Sequence, residues 1–128
     1  MYGSLPSREA IFLFDETDEF GIRYHGEFKV HCVCDIGTKH KIELQKTRLM
    51  ADYANPSPGL IALAESIADV RGRIIESPEW WRKDLDEGAA LIDPNILFKI
   101  QEKCAECEKA WKESVMKKGS EVAQSEKK

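Results

Sequence analysis

Serine or aspartate stands directly before three of the five prolines of this chain, in the pairs Ser57-Pro58, Ser77-Pro78 and Asp93-Pro94. A serine or aspartate side chain caps a helix N-terminus, and proline suits the first helical position because its missing N–H needs no partner there. Each pair therefore predicts the start of a helix or a helical turn. The first opens an amphipathic helix that ends near Ile75 or Glu76, the second a short turn, and the third a long helix.

The long helix should run from residue 94 to about residue 118 and stop at Gly119, since glycine is the usual residue after a helix end. Its apolar residues recur at spacings of three and four, which places them along one seam. A seam of this kind packs either against the core of its own domain or, as a and d positions do, against a partner helix. Its members are Leu97, Ile100, Cys104, Cys107, Trp111 and Val115.

The N-terminal part has the period of β-strands. Residues 22–36 give the clearest pattern, and residues 10–14 form a second, compact apolar run. A period of two puts alternate side chains on one buried face of a strand. On this basis the following residues share a face: Phe28, Val30, Cys32, Cys34 and Ile36.

Shorter segments complete the prediction. Residues 15–19 (DETDE) are expected to form a solvated turn, and residues 40–44 give a weak third strand. Residues 42–53 fit either one helix or a strand that runs into a helix. The chain is therefore predicted to be an α+β fold, with an N-terminal antiparallel β-hairpin or small sheet followed by three to four α-helices. Residues 1–9 are expected to be a flexible lead-in, 10–118 a single domain and 119–128 a disordered charged tail.

Composition excludes several classes of function. The 128 residues carry a net charge of −4 with basic and acidic residues interleaved, whereas nucleic-acid binding needs a concentrated basic surface. No apolar run approaches the ~20 residues of a membrane helix. The first ten residues lack the pattern of a secretory signal, so we expect a cytosolic protein with reduced cysteines.

Four cysteines are the residues most suited to metal or redox chemistry. Cys32 and Cys34 (CxC) together with Cys104 and Cys107 (CxxC) could supply the four ligands of a zinc site. However, the first pair is predicted within a strand and the second within a helix, rather than in the flexible turns of zinc knuckles. Free cysteine also packs as a small hydrophobe. We therefore interpret them as core residues and predict no metal and no cofactor.

No pattern of a catalytic or phosphate-binding site is present. The sequence contains no GxSxG, GxGxxG or GxxxxGK[ST] motif, and its three histidines are dispersed. We therefore predict a protein that is not an enzyme. Trp80 and Trp81 are the more informative pair, because two adjacent tryptophans do not both fit easily into one small core. One is expected to anchor the hinge between helices and the other to contact a partner, since tryptophan is common in binding hot spots.

The order of these features resembles the tail assembly chaperones of tailed bacteriophages. The resemblance spans roughly residues 20 to 115. It begins with Tyr24-x-Gly26-Glu27-Phe28-x-Val30 and Leu49-Met50, followed by the proline break at 56–58 and an alanine-rich helix. Its most specific part follows: Ile74-Ile75-x-x-Pro78-x-Trp80-Trp81, Asp84, Ile92-Asp93 and a closing helix with Ile96-Leu97.

The resemblance implies a non-enzymatic protein of the host cytoplasm that binds the tape measure protein and helps tail tube protein to assemble around it. It implies no active site, and homo-oligomerisation is left open. Two alternatives remain: a structural virion component such as a head–tail connector or tail protein, and a zinc-binding regulatory module. The expected partner-binding residues are Trp80, Trp81, Leu97, Ile100, Trp111 and Val115.

Overall fold

A computed structural model of the chain describes residues 7–51, 53–82, 87–88 and 91–126, with side chains up to residue 117. Strands β1 (Glu9–Thr17) and β2 (Arg23–His31) form the predicted antiparallel hairpin, paired over all nine residues of each strand. Most of the predicted lead-in, residues 1–6, lies outside the described residues, and residue 9 already belongs to β1.

The first strand is longer than the predicted run at residues 10–14, and the predicted turn at 15–19 is wrong in its first half. Asp15 to Thr17 continue β1 because each has a partner in β2, and backbone pairing does not require apolar side chains. The Asp15 carboxylate also accepts two hydrogen bonds from Arg23, both 2.8 Å long. The turn itself is closed by Asp18, whose Oδ1 accepts hydrogen bonds from the backbone N–H of Phe20 and of Ile22.

The second strand is shorter than predicted. It ends at His31, and Asp35 caps helix α1 (Ile36–Met50) by accepting a 2.7 Å hydrogen bond from the backbone N–H of Thr38. The strand prediction for Cys32, Cys34 and Ile36 is therefore wrong, and the Ile36 side chain is 86% exposed. The weak strand at 40–44 is also wrong, because these residues belong to α1. Of the two interpretations of residues 42–53, the helix is found, and it ends at Met50.

Helix α2 (Pro58–Arg73) begins as predicted, with Ser57 Oγ accepting a hydrogen bond from the backbone N–H of Leu60. It stops at Arg73 rather than near Ile75 or Glu76, because strand β3 (Ile74–Glu76) follows directly and pairs antiparallel with β2. The sheet order is β1-β2-β3, which leaves β1 as its long edge strand.

Helix α3 (Glu79–Arg82) follows Pro78, and helix α4 (Pro94–Glu126) follows Asp93, so both predicted starts are confirmed. The predicted stop at Gly119 is wrong, since α4 continues to Glu126 through the segment assigned to the charged tail. A glycine inside a helix costs only about 1 kcal/mol relative to alanine, which flanking helical residues can offset. Residues 127–128 lie outside the described residues.

The predicted α+β class is confirmed. The inner face of the sheet packs against α4, with α2 beside it and the α3 segment closing one end, whereas α1 contains no buried residue and packs on α2. The close α1–α2 contact places Ile42 against Gly72, and Lys46 forms a 2.9 Å ion pair with Glu65. The core consists of Phe14, Tyr24, Phe28, Val30, Val70, Trp81, Ile96, Leu97, Ile100 and Cys104.

Candidate protein-binding surface

Trp81, which the sequence suggested as a partner-binding residue, belongs to the core of the domain. Its side chain is 1% exposed, and its ring lies 6.1 Å from that of Phe28 in an edge-to-face arrangement. The chain then folds back over it at Gly88, whose N–H donates a 2.9 Å hydrogen bond to the Trp81 carbonyl. Gly88 has a φ of +90°, and a Cβ there would lie 2.5 Å from Cη2 of the indole, so glycine is required.

Trp80 is half-buried and also held within the chain. Its ring contacts those of Phe14, Tyr24 and Phe28 at centroid distances of 5.0 to 5.9 Å. Its Nε1–H donates a 3.0 Å hydrogen bond to the backbone carbonyl of His25. The position therefore joins α3 to β2, and only part of the indole is accessible to a partner.

The apolar seam of α4 is divided by the fold. Leu97, Ile100 and Cys104 are each no more than 2% exposed, because they face the inner surface of the sheet and α2. Two of the predicted partner-binding residues, Leu97 and Ile100, therefore pack inside the domain. Trp111 and Val115 lie further along the same helix face and keep partly exposed side chains.

The seam of α4 changes from buried to partly exposed residues beside Glu108. Its carboxylate accepts a 3.3 Å hydrogen bond from Arg73 Nη2, while the same guanidinium contacts Asp69 and the carbonyl oxygen of Cys32. Arg73 and its three acceptors, which we call the Arg73 node, join α2, the end of β2 and α4. From Glu108 to Glu126 the helix continues for about 28 Å at 1.5 Å per residue. We call residues 108–117, whose side chains are described, the distal segment of α4.

The distal segment is amphipathic. Trp111 and Val115 lie within about 40° of each other around the helix axis at 100° per residue, and Lys109 lies on the opposite side. Lys112, Glu113 and Ser114 are exposed, and Lys112 forms a 3.7 Å ion pair with Glu108. The result is a narrow apolar stripe between charged residues of both signs, a pattern that suits contact with another amphipathic helix.

Three of the four cysteines, Cys32, Cys34 and Cys104, lie near Arg73, and Cys107 lies near Cys32 and Cys104. Cys32 and Cys104 are buried and Cys34 and Cys107 are half-buried, all as free thiols. Burial raises the pKa of each thiol, to about 12 for Cys104, and the positive charge of Arg73 opposes this effect at Cys32, Cys34 and Cys104. Neutral thiols are poor nucleophiles and poor metal ligands.

The thiols do not form part of a metal cluster in the described part of the chain. Within it, no group of three or more histidine, cysteine, aspartate or glutamate side chains is arranged to hold a metal ion. Proximity of the four thiols was not predicted from the sequence, because it depends on how α4 and the end of β2 pack beside Arg73.

A cavity of about 380 Å³ lies between the β1–β2 turn and the start of α4. Asp18 and Asp93 contribute to it, but both carboxylates serve the fold. Asp18 accepts hydrogen bonds from the Tyr24 hydroxyl and from a backbone N–H of the β1–β2 turn. Asp93 accepts hydrogen bonds from the backbone N–H groups of Glu19 and Asn95. These contacts explain how two buried acids are tolerated.

Comparison of the chain with protein-family models, curated proteins and solved structures found no match. Within the described residues, no helix combines the length and apolar character required to cross a membrane. The distal segment of α4 is therefore the part of the predicted binding surface that the fold leaves accessible, together with the exposed part of Trp80.

Proposed function

We propose that this chain is a non-enzymatic tail assembly chaperone of tailed bacteriophages, which binds the tape measure protein and assists assembly of the tail tube protein in the host cytoplasm. The observation that carries the proposal is the distal segment of α4, where Trp111 and Val115 remain partly exposed after the core residues of the same seam are buried. The sequence resemblance supplies the identity of the client.

A continuous helix is a suitable element for this task. A client that is long and helical presents rows of apolar side chains, and a second helix shields them by side-by-side packing. The anchored half of α4 holds the distal segment in a fixed direction, because Arg73 ties Glu108 to α2 and to the end of β2. A preorganised helix loses less conformational entropy when it binds than a disordered segment does.

The arrangement of charges supports reversible binding. Lys109, Lys112, Glu113 and Lys117 surround the apolar stripe, so the distal segment stays hydrated in the absence of a client. Mixed charges at the rim of an interface contribute to specificity and association rate more than to affinity. This is the behaviour that a chaperone needs, since it must release its client when the tube subunits arrive.

The environment of Cys104 argues against one enzymatic role, that of a cysteine nucleophile at this position. Burial raises the pKa of Cys104 to about 12, so this side chain is neutral at physiological pH. A nucleophilic cysteine requires the opposite shift.

The test is capture of the tape measure protein in co-expression, with Trp111→Glu and Val115→Glu as the disrupting variants. Lys109→Glu is the matched control, because it places the same carboxylate on the opposite side of α4. We expect the first two to abolish capture and the control to retain it, with helicity and thermal unfolding measured for all three. Retained capture by both disrupting variants would remove the assignment.

Purified particles separate this proposal from a structural virion component. A chaperone leaves the assembled tail, so mass spectrometry of purified virions should not detect the chain. Its presence there at a fixed ratio to the tail tube protein would favour the structural role.

A further inference from the structure

The edge strand β1 directs part of its backbone N–H and C=O groups away from β2, and Ser7 Oγ accepts a hydrogen bond from the first of them, Glu9 N–H, at 3.2 Å. Asp18 N–H donates to the Ile22 carbonyl and Cys32 N–H donates to the Arg8 carbonyl, which fixes the hydrogen-bonding phase of the β1–β2 ladder. Since an antiparallel ladder alternates, the even-numbered residues of β1 bond to β2 and the odd-numbered ones direct their N–H and C=O groups to the open side.

The same odd-numbered residues place their side chains on the outer face of the sheet. Ile11 and Leu13 are 64% and 60% exposed there. They lie between two ion pairs on that face, Glu9–Lys29 at 3.4 Å and Asp15–Arg23 at 2.8 Å. The outer face of β1 therefore carries a short apolar strip that neither the sheet nor the described helices cover.

Folded proteins usually protect such an edge with a lysine, a proline, a bulge or a very short strand. The opposite edge of this sheet follows the rule, because β3 has three residues. In contrast, β1 has nine residues, EAIFLFDET, without lysine or proline and with an uninterrupted register against β2. An edge of this kind is a template for a further strand.

We propose that this further strand is β1 of a second copy of the chain, paired antiparallel about a two-fold axis at Leu13. In this register Leu13 faces its own copy, Glu9 faces Thr17, and Ile11 faces Asp15. The Asp15 carboxylate keeps its ion pair with Arg23 of the same copy, and no like charges of β1 lie directly opposite each other. If the two-fold axis lies one residue earlier, at Phe12, Glu9 faces Asp15 at both ends of the pair. Like-charge repulsion disfavours that register.

The pairing gives one continuous sheet of six strands with the α4 helices on the same face. Ile11 and Leu13 of both copies then meet in a single apolar patch on the outer face, while the odd-numbered backbone groups become paired. The dimer surface is separate from the distal segment of α4, so this proposal does not rest on the proposed function.

The first experiment measures the mass of the purified full-length chain in solution by light scattering at increasing concentration. We expect a rise from 14.6 kDa to twice that value. Leu13→Lys should restore the monomer mass, because edge lysines oppose strand addition. Leu44→Lys is the matched control, since Leu44 is 44% exposed on α1, and this variant should stay dimeric.

The second experiment tests the register. In a hydrogen-bonded antiparallel pair the Cα atoms lie about 5.5 Å apart, a distance that a disulfide can bridge. Leu13→Cys should therefore form a disulfide between two copies under mild oxidation, even if Leu13→Lys disturbs folding. Mass spectrometry should identify it as a cross-linked peptide that joins position 13 of one copy to position 13 of the other.

Three outcomes would overturn the proposal: a wild-type chain that is monomeric at every concentration, a Leu13→Lys variant that remains dimeric, or equal loss of the dimer in Leu44→Lys. A monomer whose Leu13→Lys variant loses capture of the tape measure protein would assign the edge to a client strand instead of a second copy.

Discussion

The guanidinium of Arg73 lies 3.3 Å from the carboxylate of Glu108 and thereby joins the end of α2 to α4 at the start of its distal segment. Burial alone would lower the pKa of Arg73, but the Asp69 and Glu108 carboxylates raise it, so the group stays charged. This contact marks the boundary between the half of α4 that builds the core and the half that is accessible to a partner.

Replacement of Arg73 by methionine should destabilise the fold by roughly 2 kcal/mol, because Asp69 and Glu108 lose their counter-ion while remaining partly buried. Arg73→Lys should recover part of the loss, since lysine keeps the charge but does not reach all three acceptors. Arg48→Met, an exposed position on α1, is the control. Urea unfolding of the three variants provides the measurement, and equal stabilities of Arg73→Met and Arg48→Met would contradict the role of this node.

Gly72→Ala should separate α1 from α2, because an added Cβ would collide with Cγ1 of Ile42 and lie 2.7 Å from its Cδ1. We expect a loss of about 1 to 3 kcal/mol from this overpacking, although alanine is the better helix former. Gly59→Ala, in the same helix with no atom within 4 Å of the new Cβ, serves as the control. Thermal unfolding should rank Gly72→Ala well below both Gly59→Ala and wild type; the reverse order would show that α1 does not pack on α2 as described.

Asp93→Ala should cost roughly 2 kcal/mol, because it removes both the cap of α4 and a tertiary hydrogen bond. Asp93 Oδ1 accepts from Asn95 N–H at 2.9 Å, and its Oδ2 accepts from Glu19 N–H at 3.2 Å. Ser57→Ala removes an exposed cap alone and should cost about 1 kcal/mol. A similar loss in the two variants, measured by denaturant unfolding, would indicate that the contact with Glu19 contributes nothing.

Alkaline pH should weaken the fold through Cys104. Its pKa is raised by burial from 9.0 to about 12, so above pH 9 the unfolded chain releases a proton that the folded chain retains. Stability is therefore lost as pH rises from about 9, by up to about 1.4 kcal/mol per pH unit from this thiol. The stability advantage of wild type over Cys104→Ala, constant between about pH 7 and 8, should narrow between about pH 9 and 10. A constant difference across the whole range would refute the burial of an un-ionised thiol at this position.

Part of the candidate binding surface was predictable from the sequence. The seam spacing correctly placed Trp111 and Val115 on one face of a helix, but it could not divide that face at Glu108, because the position of Arg73 decides where the core ends. The strand pattern at residues 10–14 gave no indication that Ile11 and Leu13 point outward. A continuous apolar run looks the same whether it lies inside a sheet or at its edge.

Local chemistry explains what the sequence determined by itself. Ser57, Asp93 and the prolines after them fix helix starts because a cap and its first turn lie within a few residues. The alternation of Phe28 and Val30 fixes a strand face for the same reason, since a period of two is set by the backbone.

Only the tertiary structure decided that Ile74–Glu76 would be the third strand and that residues 40–44 would be helical. It also decided that Trp81 would be enclosed beneath Gly88. Each outcome depends on contacts between segments that lie far apart in the chain. The free energy of those contacts exceeds the small helix and strand propensities of the individual residues.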